Sequence, residues 1–222
     1  MSEPIERKPT RWSYSSISTY KSCPAKWKFS YIDNIPWDAS PAMSRGTRMH
    51  KMAEDFVTGE IDFVPNEIKK IGPSLLLYKG LGASAEAVWL LDKDWKPTEV
   101  EAGNTWIKAI IDLHYVLDGV LYAKDYKSGQ MYDEHRDQLE LYGIMGLQLY
   151  PEVKRVETSA VYMDTGHEGM EGSIIRPMLP KMIDKWHGQA ETMFADNDYD
   201  PKPGNACRWC PYAKAKGGPC LY

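Results

Sequence analysis

Apolar side chains recur along this chain at two spacings, and the switch between them outlines a mixed α/β protein. From about Ser15 to Ile32, the residues Ile17, Tyr20, Trp27 and Tyr31 return near the helical repeat, with serines ahead of them to cap the first turn. A second helical stretch runs from about Ser44 to Val57 and sets Gly46, His50 and Glu54 on one face at four-residue steps. Pro65 to Gly80 carries a weaker helical pattern, broken at Gly72-Pro73. Three extended segments follow, at about Ala85–Leu91, Trp106–Val116 and Val120–Tyr126, and then a helix from about Tyr132 to Tyr150 that Pro151 ends. Strands at about Val156–Met163 and Ser173–Arg176 precede a last helix from about Pro180 to Ala195. This order predicts an α/β fold in which helices flank a central mixed sheet.

The centre of that sheet carries the first chemistry. Leu117-Asp118-Gly119-Val120 places Asp-Gly between two strand-like runs, which favours a two-residue type I′ hairpin turn. Such a turn pairs Leu117 with Val120 and, stepping back along both strands, sets Asp112 opposite Asp125. Opposed Cβ atoms lie roughly 5 Å apart, and two like charges there repel. A divalent cation held between the carboxylates offsets that repulsion. Lys127 lies two residues after Asp125 and shares its strand face. A cation beside metal-binding carboxylates suits a reaction that builds negative charge, such as attack on a phosphodiester. An isolated Asp-x-Lys is more often a salt-bridged solvated surface, and the opposed Asp112 is what argues against that reading here.

Around these residues the sequence resembles the RecB-like branch of the PD-(D/E)xK nucleases, including the CRISPR-associated iron–sulfur exonucleases. Ser13-Tyr14-Ser15-Ser16-Ile17 followed by Cys23-Pro24 resembles the opening helix of that family. Gly46-Thr47-Arg48-Met49-His50, with Glu54 beyond, resembles its G-x-x-x-H motif, whose histidine is a metal ligand. Ile110-Ile111-Asp112 matches the motif II aspartate, Asp125-Tyr126-Lys127-Ser128-Gly129 the catalytic D-x-K-[ST]-G, and Gln138-Leu139-Glu140-Leu141-Tyr142 the Q-x-x-x-Y helix. One departure is Ala109, where the family usually has glycine. The resemblance implies a restriction-endonuclease-like core and catalytic roles for His50, Asp112, Asp125, Lys127, Gln138 and Tyr142. It implies Mg²⁺ or Mn²⁺ held by His50, Asp112 and Asp125, with Gln138 and Tyr142 contacting DNA or orienting Lys127. His114 is claimed by no motif and is expected to be structural or to touch DNA; Glu86 is a possible outer acid. On this division residues 1–12 are a polar lead-in, 13–195 the nuclease domain, and 196–222 a cysteine-rich segment.

The cysteines are Cys23, Cys207, Cys210 and Cys220. The tail is too rich in Pro and Gly to hold itself, and its C-x-x-C brings two thiolates to one metal. Cys220 and the distant Cys23 would complete the set. A structural zinc site usually brings two local knuckles; the single one here favours a [4Fe–4S] cluster, with structural Zn²⁺ the alternative. The resemblance implies the same division of one N-terminal and three C-terminal cysteines, although the interval from Cys210 to Cys220 is longer than the family's.

Composition narrows the partners. The chain is 43% hydrophobic and 26% charged with net charge −4, which suits a globular enzyme better than a protein that coats nucleic acid by bulk charge. No run of about 18 apolar residues exists to span a membrane. The first residues lack the apolar core of a secretory signal, so an intracellular, reducing, cytoplasmic home is expected, bacterial or phage-encoded. Cations cluster as Arg45, Arg48 and Lys51 around His50, Lys124 and Lys127 on the hairpin, and Arg208, Lys214 and Lys216 in the tail. With Trp27, Trp37, Tyr126, Trp209 and Tyr212 among them, they predict contact with single-stranded DNA regardless of base sequence. The expected function is a metal-dependent deoxyribonuclease on single strands or free ends, 5′→3′ by resemblance, in recombination, repair or phage and plasmid DNA processing. A helicase or recombination partner would be a separate chain. The alternatives are a structure-specific endonuclease with the same site and a non-catalytic DNA-binding subunit.

Overall fold

The computed structural model describes residues 8–99 and 102–222. In chain order the elements are α1 (Tyr14–Ser22), α2 (Pro24–Tyr31), α3 (Pro41–Thr58), α4 (Gly72–Gly80), β1 (Ser84–Leu91), β2 (Ile107–Leu117), β3 (Val120–Lys127), α5 (His135–Leu149), β4 (Arg155–Tyr162), β5 (His167–Ile175) and α6 (Leu179–Ala195). They divide into two units, one spanning Ser40–Ile183 and the other made of the residues up to Ala39 together with Asp184–Tyr222.

The first of these units holds a five-stranded sheet in the order β1-β2-β3-β4-β5. Only β3 and β4 run parallel, and α5 is the crossover that a parallel neighbour requires. The β2–β3 hairpin has the predicted register, from Leu117↔Val120 through Leu113↔Lys124. Asp118 and Gly119 stand at φ 53° and 73°, the positive values that a type I′ turn demands at both positions. Because side chains alternate across a strand, the sheet has two dressed faces. On one, Leu113, Tyr126 and Val161 pack beneath Met49, Ala53 and Phe56 of α3 and Leu75 and Tyr78 of α4. On the other lies α5, brought close by glycine: a Cβ on Gly146 would stand 2.7 Å from Leu121 and 3.1 Å from Val156.

That closeness gives a stability test. Gly146→Ala is expected to cost about 1–3 kcal/mol through overpacking, offset only in part by better helix propensity. The melting temperature should fall by several degrees, as followed by circular dichroism; an unchanged transition would mean that α5 backs away freely.

Two predicted elements differ. The helix expected from Ser15 to Ile32 is two helices, because Cys23 takes extended backbone (φ −164°, ψ 113°) ahead of Pro24. Proline disfavours helical geometry in the residue before it, and its own ring then fits the first turn of the next helix. The strand expected at Ser173–Arg176 begins earlier, at His167. Its first half is polar and glycine-rich, and a register shift opposite Thr158 and Ala160, with Met170 at φ 57°, breaks the alternation that would have revealed it.

The other unit is built on aromatic packing. Trp27 is fully buried, stacks on Tyr31 and Tyr199, and donates from Nε1 to Ser16 Oγ at 2.8 Å. Trp12 is also buried, stacked on Trp186 with ring centroids 6.2 Å apart, so the expected loose lead-in already contributes core at its end. Lys8 Nζ donates to the carbonyls of Phe194 and Asp196. The remainder of the expected lead-in, residues 1–7, lies outside the described residues.

Candidate active site

His50 comes from α3, whose start is set by Pro41 in its first turn and by Ser40, which caps Met43 N. Met49, Ala53 and Phe56 bury the inner stripe of the helix, and His50 leads from its edge toward the sheet. One turn earlier, a Cβ on Gly46 would meet Ser128 Oγ at 2.7 Å. The glycine of G-x-x-x-H therefore lets α3 approach the end of β3.

At this end the strands part. The paired residues of β2 and β3 stop at Leu113 and Lys124, one step short of Asp112 and Asp125. In place of the ladder, Tyr126 N–H donates to Asp112 Oδ2 at 2.6 Å. On the other side of Asp112, β1 pairs Ala85 with Leu113 and Ala87 with Ile111, so Glu86 occupies the register position opposite Asp112. Glu86 has φ 50°, a backbone region costly for a side chain of its kind. Ligand atoms of His50, Glu86 and Asp112 all lie within 4.8 Å of one another, with His50 Nδ1 at 3.3 Å from Asp112 Oδ1.

Asp125 and Lys127 share the next strand, and their carboxylate and ammonium stand 2.6 Å apart. Lys127 also donates to Gln138 Oε1 at 2.8 Å, and Gln138 Nε2 donates to the Tyr142 hydroxyl at 2.8 Å. That hydroxyl offers its proton to the Ile110 carbonyl at 3.0 Å and to Asp125 Oδ1 at 3.2 Å. The Q-x-x-x-Y pair on α5 thus holds Lys127 and Asp125 from behind. Asp125 Oδ2 is buried, and it is the oxygen that faces the Lys127 ammonium.

The charges crowd one another. Burial pushes the Asp125 carboxyl up to about 6, with Lys127 opposing the rise and Asp112 adding to it. Burial likewise raises Glu86, as does Asp112. Burial alone would lower His50, yet its hydrogen bond and charge contact with Asp112 leave it raised. Carboxylates that resist ionising beside one another and an imidazole form a donor set suited to a hard divalent cation. His50, Glu86 and Asp112 open on a cleft of about 700 Å³ that Thr47, Lys51, Ile110, Lys127 and Ser128 also line.

Several expected residues lie elsewhere or are engaged. Arg45 forms a two-point pair with Asp164, Arg48 binds Glu67, and Lys51 reaches both Glu54 and Asp55. Lys124 points to the opposite sheet face from Asp125, buried against Ser159 and Glu168. These four cations are committed to carboxylates and are not the open phosphate contacts expected of them. Of the expected stacking aromatics, Trp27, Tyr126 and Tyr212 are buried, whereas Trp37 and Trp209 are exposed. His114 is structural: Tyr150 lies 2.7 Å from its Nε2 and Trp89 packs edge-on, and burial lowers its pKa. Glu86 is the residue that sequence reasoning underplaced, since only the pairing of β1 with β2 brings it to Asp112.

In the other unit, Cys23, Cys207, Cys210 and Cys220 line one cavity, and none is in a disulfide. Lys202 N–H points at Cys23 Sγ and Gly204 N–H at Cys207 Sγ, each at 3.4 Å. Among the described residues, no three of these sulfurs lie within 4.8 Å of one another.

A mixed sheet that parts at its centre, with one aspartate on β2 facing an Asp-x-Lys on β3, defines a restriction-endonuclease-like domain. Residues 11–215 match the sequence model of the PD-(D/E)XK nuclease superfamily, and the chain belongs to that superfamily. A search of curated proteins returns no match. Among solved structures, a candidate exonuclease from Eubacterium rectale shares 10% identity over 90% of this chain and 88% of its own, with a TM-score of 0.55. SSO0001 shares 14% identity over 93% of this chain and 85% of its own, with a TM-score of 0.48. No helix among the described residues is long and apolar enough to cross a membrane.

Proposed function

We propose that this chain is a Mg²⁺- or Mn²⁺-dependent deoxyribonuclease of the RecB-like, iron–sulfur branch, acting on single-stranded DNA or free DNA ends. The observation that carries the reading is the convergence of His50, Glu86 and Asp112 within 4.8 Å, beside the Asp125–Lys127 pair. The exonuclease preference is supported by the fold shared with the Eubacterium rectale protein and the 5′→3′ direction by the motif resemblance. A cytoplasmic setting in recombination, repair or phage and plasmid DNA processing, with any helicase as a separate chain, fits this chemistry.

His50, Asp112 and Asp125 would hold the ion, with Glu86 as a further carboxylate. Bound there, it would supply Lewis-acid charge opposite the negative charge that develops on the phosphate. Lys127 reaches the same region with an ammonium that Gln138 and Asp125 keep in place. It orients the attacking water or stabilises the developing charge, while Tyr142 fixes Asp125. Lys127→Ala is expected to slow single-turnover cleavage by about 10²–10³-fold with Mn²⁺ affinity nearly retained. Calorimetry with Mn²⁺ checks the second half; lost affinity with unchanged saturated cleavage would reverse the assignment.

The function is tested with linear single strands labelled at either end and with covalently closed single-stranded circles, each with Mg²⁺ or Mn²⁺. Mononucleotides or short products released from the 5′ end, with circles intact, are expected. Cut circles would make it an endonuclease, and no cleavage of any form would leave a DNA-binding subunit.

The nuclease domain of 13–195 is proposed to be completed by the 196–222 segment, whose three cysteines join Cys23 around a [4Fe–4S] cluster. The single C-x-x-C knuckle, with Cys23 and Cys220 lining the same cavity and N–H groups aimed at two of the sulfurs, supports the cluster.

A further inference from the structure

The positive charge of this protein is distributed against expectation. In the nuclease unit, Arg45, Arg48, Lys51 and Lys124 are each answered by a carboxylate. Between residues 201 and 222 there are four cations, Lys202, Arg208, Lys214 and Lys216, and no aspartate or glutamate. Arg208, Lys214 and Lys216 are exposed and make no ion pair among the described residues. In the same segment Trp209 is 84% exposed, whereas tryptophan is among the more deeply buried side chains on average.

The indole stands on a firm base. Trp209 lies inside the C-x-x-C knuckle, at the end of the 3-10 turn Asn205–Arg208, and its N–H donates to the Ala206 carbonyl at 3.1 Å. Cys210 N–H donates to the Cys207 carbonyl at 3.2 Å. Just beyond, Tyr212 is buried, its hydroxyl donating to the Ile35 carbonyl at 3.1 Å and lying 2.9 Å from Ser30 Oγ. A flat apolar ring held outward by an anchored turn, with unopposed cations in the same short segment, has the two components that unpaired nucleotides require. Bases stack on the ring and phosphates answer the charge.

We propose that the cysteine-knuckle segment is a single-strand DNA contact site in which Trp209 is the base-stacking platform and Arg208, Lys214 and Lys216 receive the flanking phosphates. This rests on the nuclease reading and adds to it a subsite on the DNA substrate, separate from the carboxylate centre. A duplex offers no free base face, so the indole discriminates for single strands, while the cations serve both forms.

The test is equilibrium binding of a fluorescein-labelled oligothymidylate to the full chain, purified without oxygen, with Ca²⁺ in place of Mg²⁺ to suppress cleavage. Trp209→Ala is expected to weaken binding roughly tenfold, and Trp209→Phe to keep most of the affinity. Affinity for blunt duplex should change little. Metal content, melting temperature and hydrolysis of bis(p-nitrophenyl) phosphate should stay at wild-type values. Equal affinity of wild type and Trp209→Ala for the single strand would overturn the proposal, and would be the result if the indole docks a protein instead. Equal loss for single strand and duplex, with a lowered melting temperature, would overturn it as well by showing a structural role. Failure of the nuclease reading is separate: it would appear as no cleavage by wild type under Mg²⁺ or Mn²⁺, whatever the binding.

Discussion

Asp112→Asn is expected to lower single-turnover DNA cleavage by about 10³-fold or more while the protein stays folded. Asp112 stands at the crossing of every line in the site. It faces Glu86 on β1, lies 3.3 Å from His50, and takes a hydrogen bond from the amide of Tyr126 where the β2–β3 ladder opens. Asparagine keeps an oxygen for that amide and so preserves the local backbone. It removes the charge, which is the property a divalent cation needs from this position. Alanine would confound the two by leaving a buried N–H unpaired, at a cost of about 1–3 kcal/mol. Mn²⁺ binding followed by calorimetry should weaken in parallel with rate. Cleavage at the wild-type rate under saturating Mn²⁺ would remove Asp112, and with it the proposed centre, from consideration.

That site was legible from the chain where its parts are local, and hidden where they depend on distant partners. Asp118-Gly119 defines a turn, the turn defines a register, and the register brings Asp112 and Asp125 to the same end of neighbouring strands; each step spans only a few residues. Gln138 and Tyr142 stand four residues apart on the helix that follows β3, where the family resemblance expects them to orient Lys127, and they lie behind Lys127 and Asp125. Glu86 could not be placed this way. Its position depends on β1 pairing with β2 across an intervening loop, and its positive φ leaves no mark in the residue pattern. The cations near His50 misled for a related reason. Glu67 and Asp164, which hold Arg45 and Arg48, come from segments that only the folded chain brings near. Lys124 shows how one residue of offset decides a role: next to Asp125 in sequence, it faces the other side of the sheet.

Cys23→Ser should unfold the protein at a melting temperature lower by about 10 °C or more. The break between α1 and α2 places Cys23 at the N-cap of α2, where its side chain makes no capping hydrogen bond. Serine is a preferred N-cap, so the substitution is locally neutral or favourable and any loss of stability points to the thiolate. Cys23 lines the cavity it shares with Cys207, Cys210 and Cys220, and the Lys202 amide is aimed at its sulfur. A metal group bridging these positions closes a loop of about 185 residues, for which chain entropy alone gives roughly 5 kcal/mol of stabilisation. Opening one ligand position should also expose the group to oxidation and loss. The measurement is iron, zinc and acid-labile sulfide in wild type and mutant purified without oxygen, together with thermal unfolding. Sulfide matching iron in the wild type identifies a cluster, and zinc without sulfide identifies the alternative. Because His50, Asp112, Asp125 and Lys127 belong to the other unit, residual cleavage below the lowered transition should show a wild-type metal requirement. A mutant with full metal content and an unshifted transition would show that Cys23 is no ligand, and the metal link between the first helices and the C-terminal knuckle would have to be given up while the carboxylate centre stands.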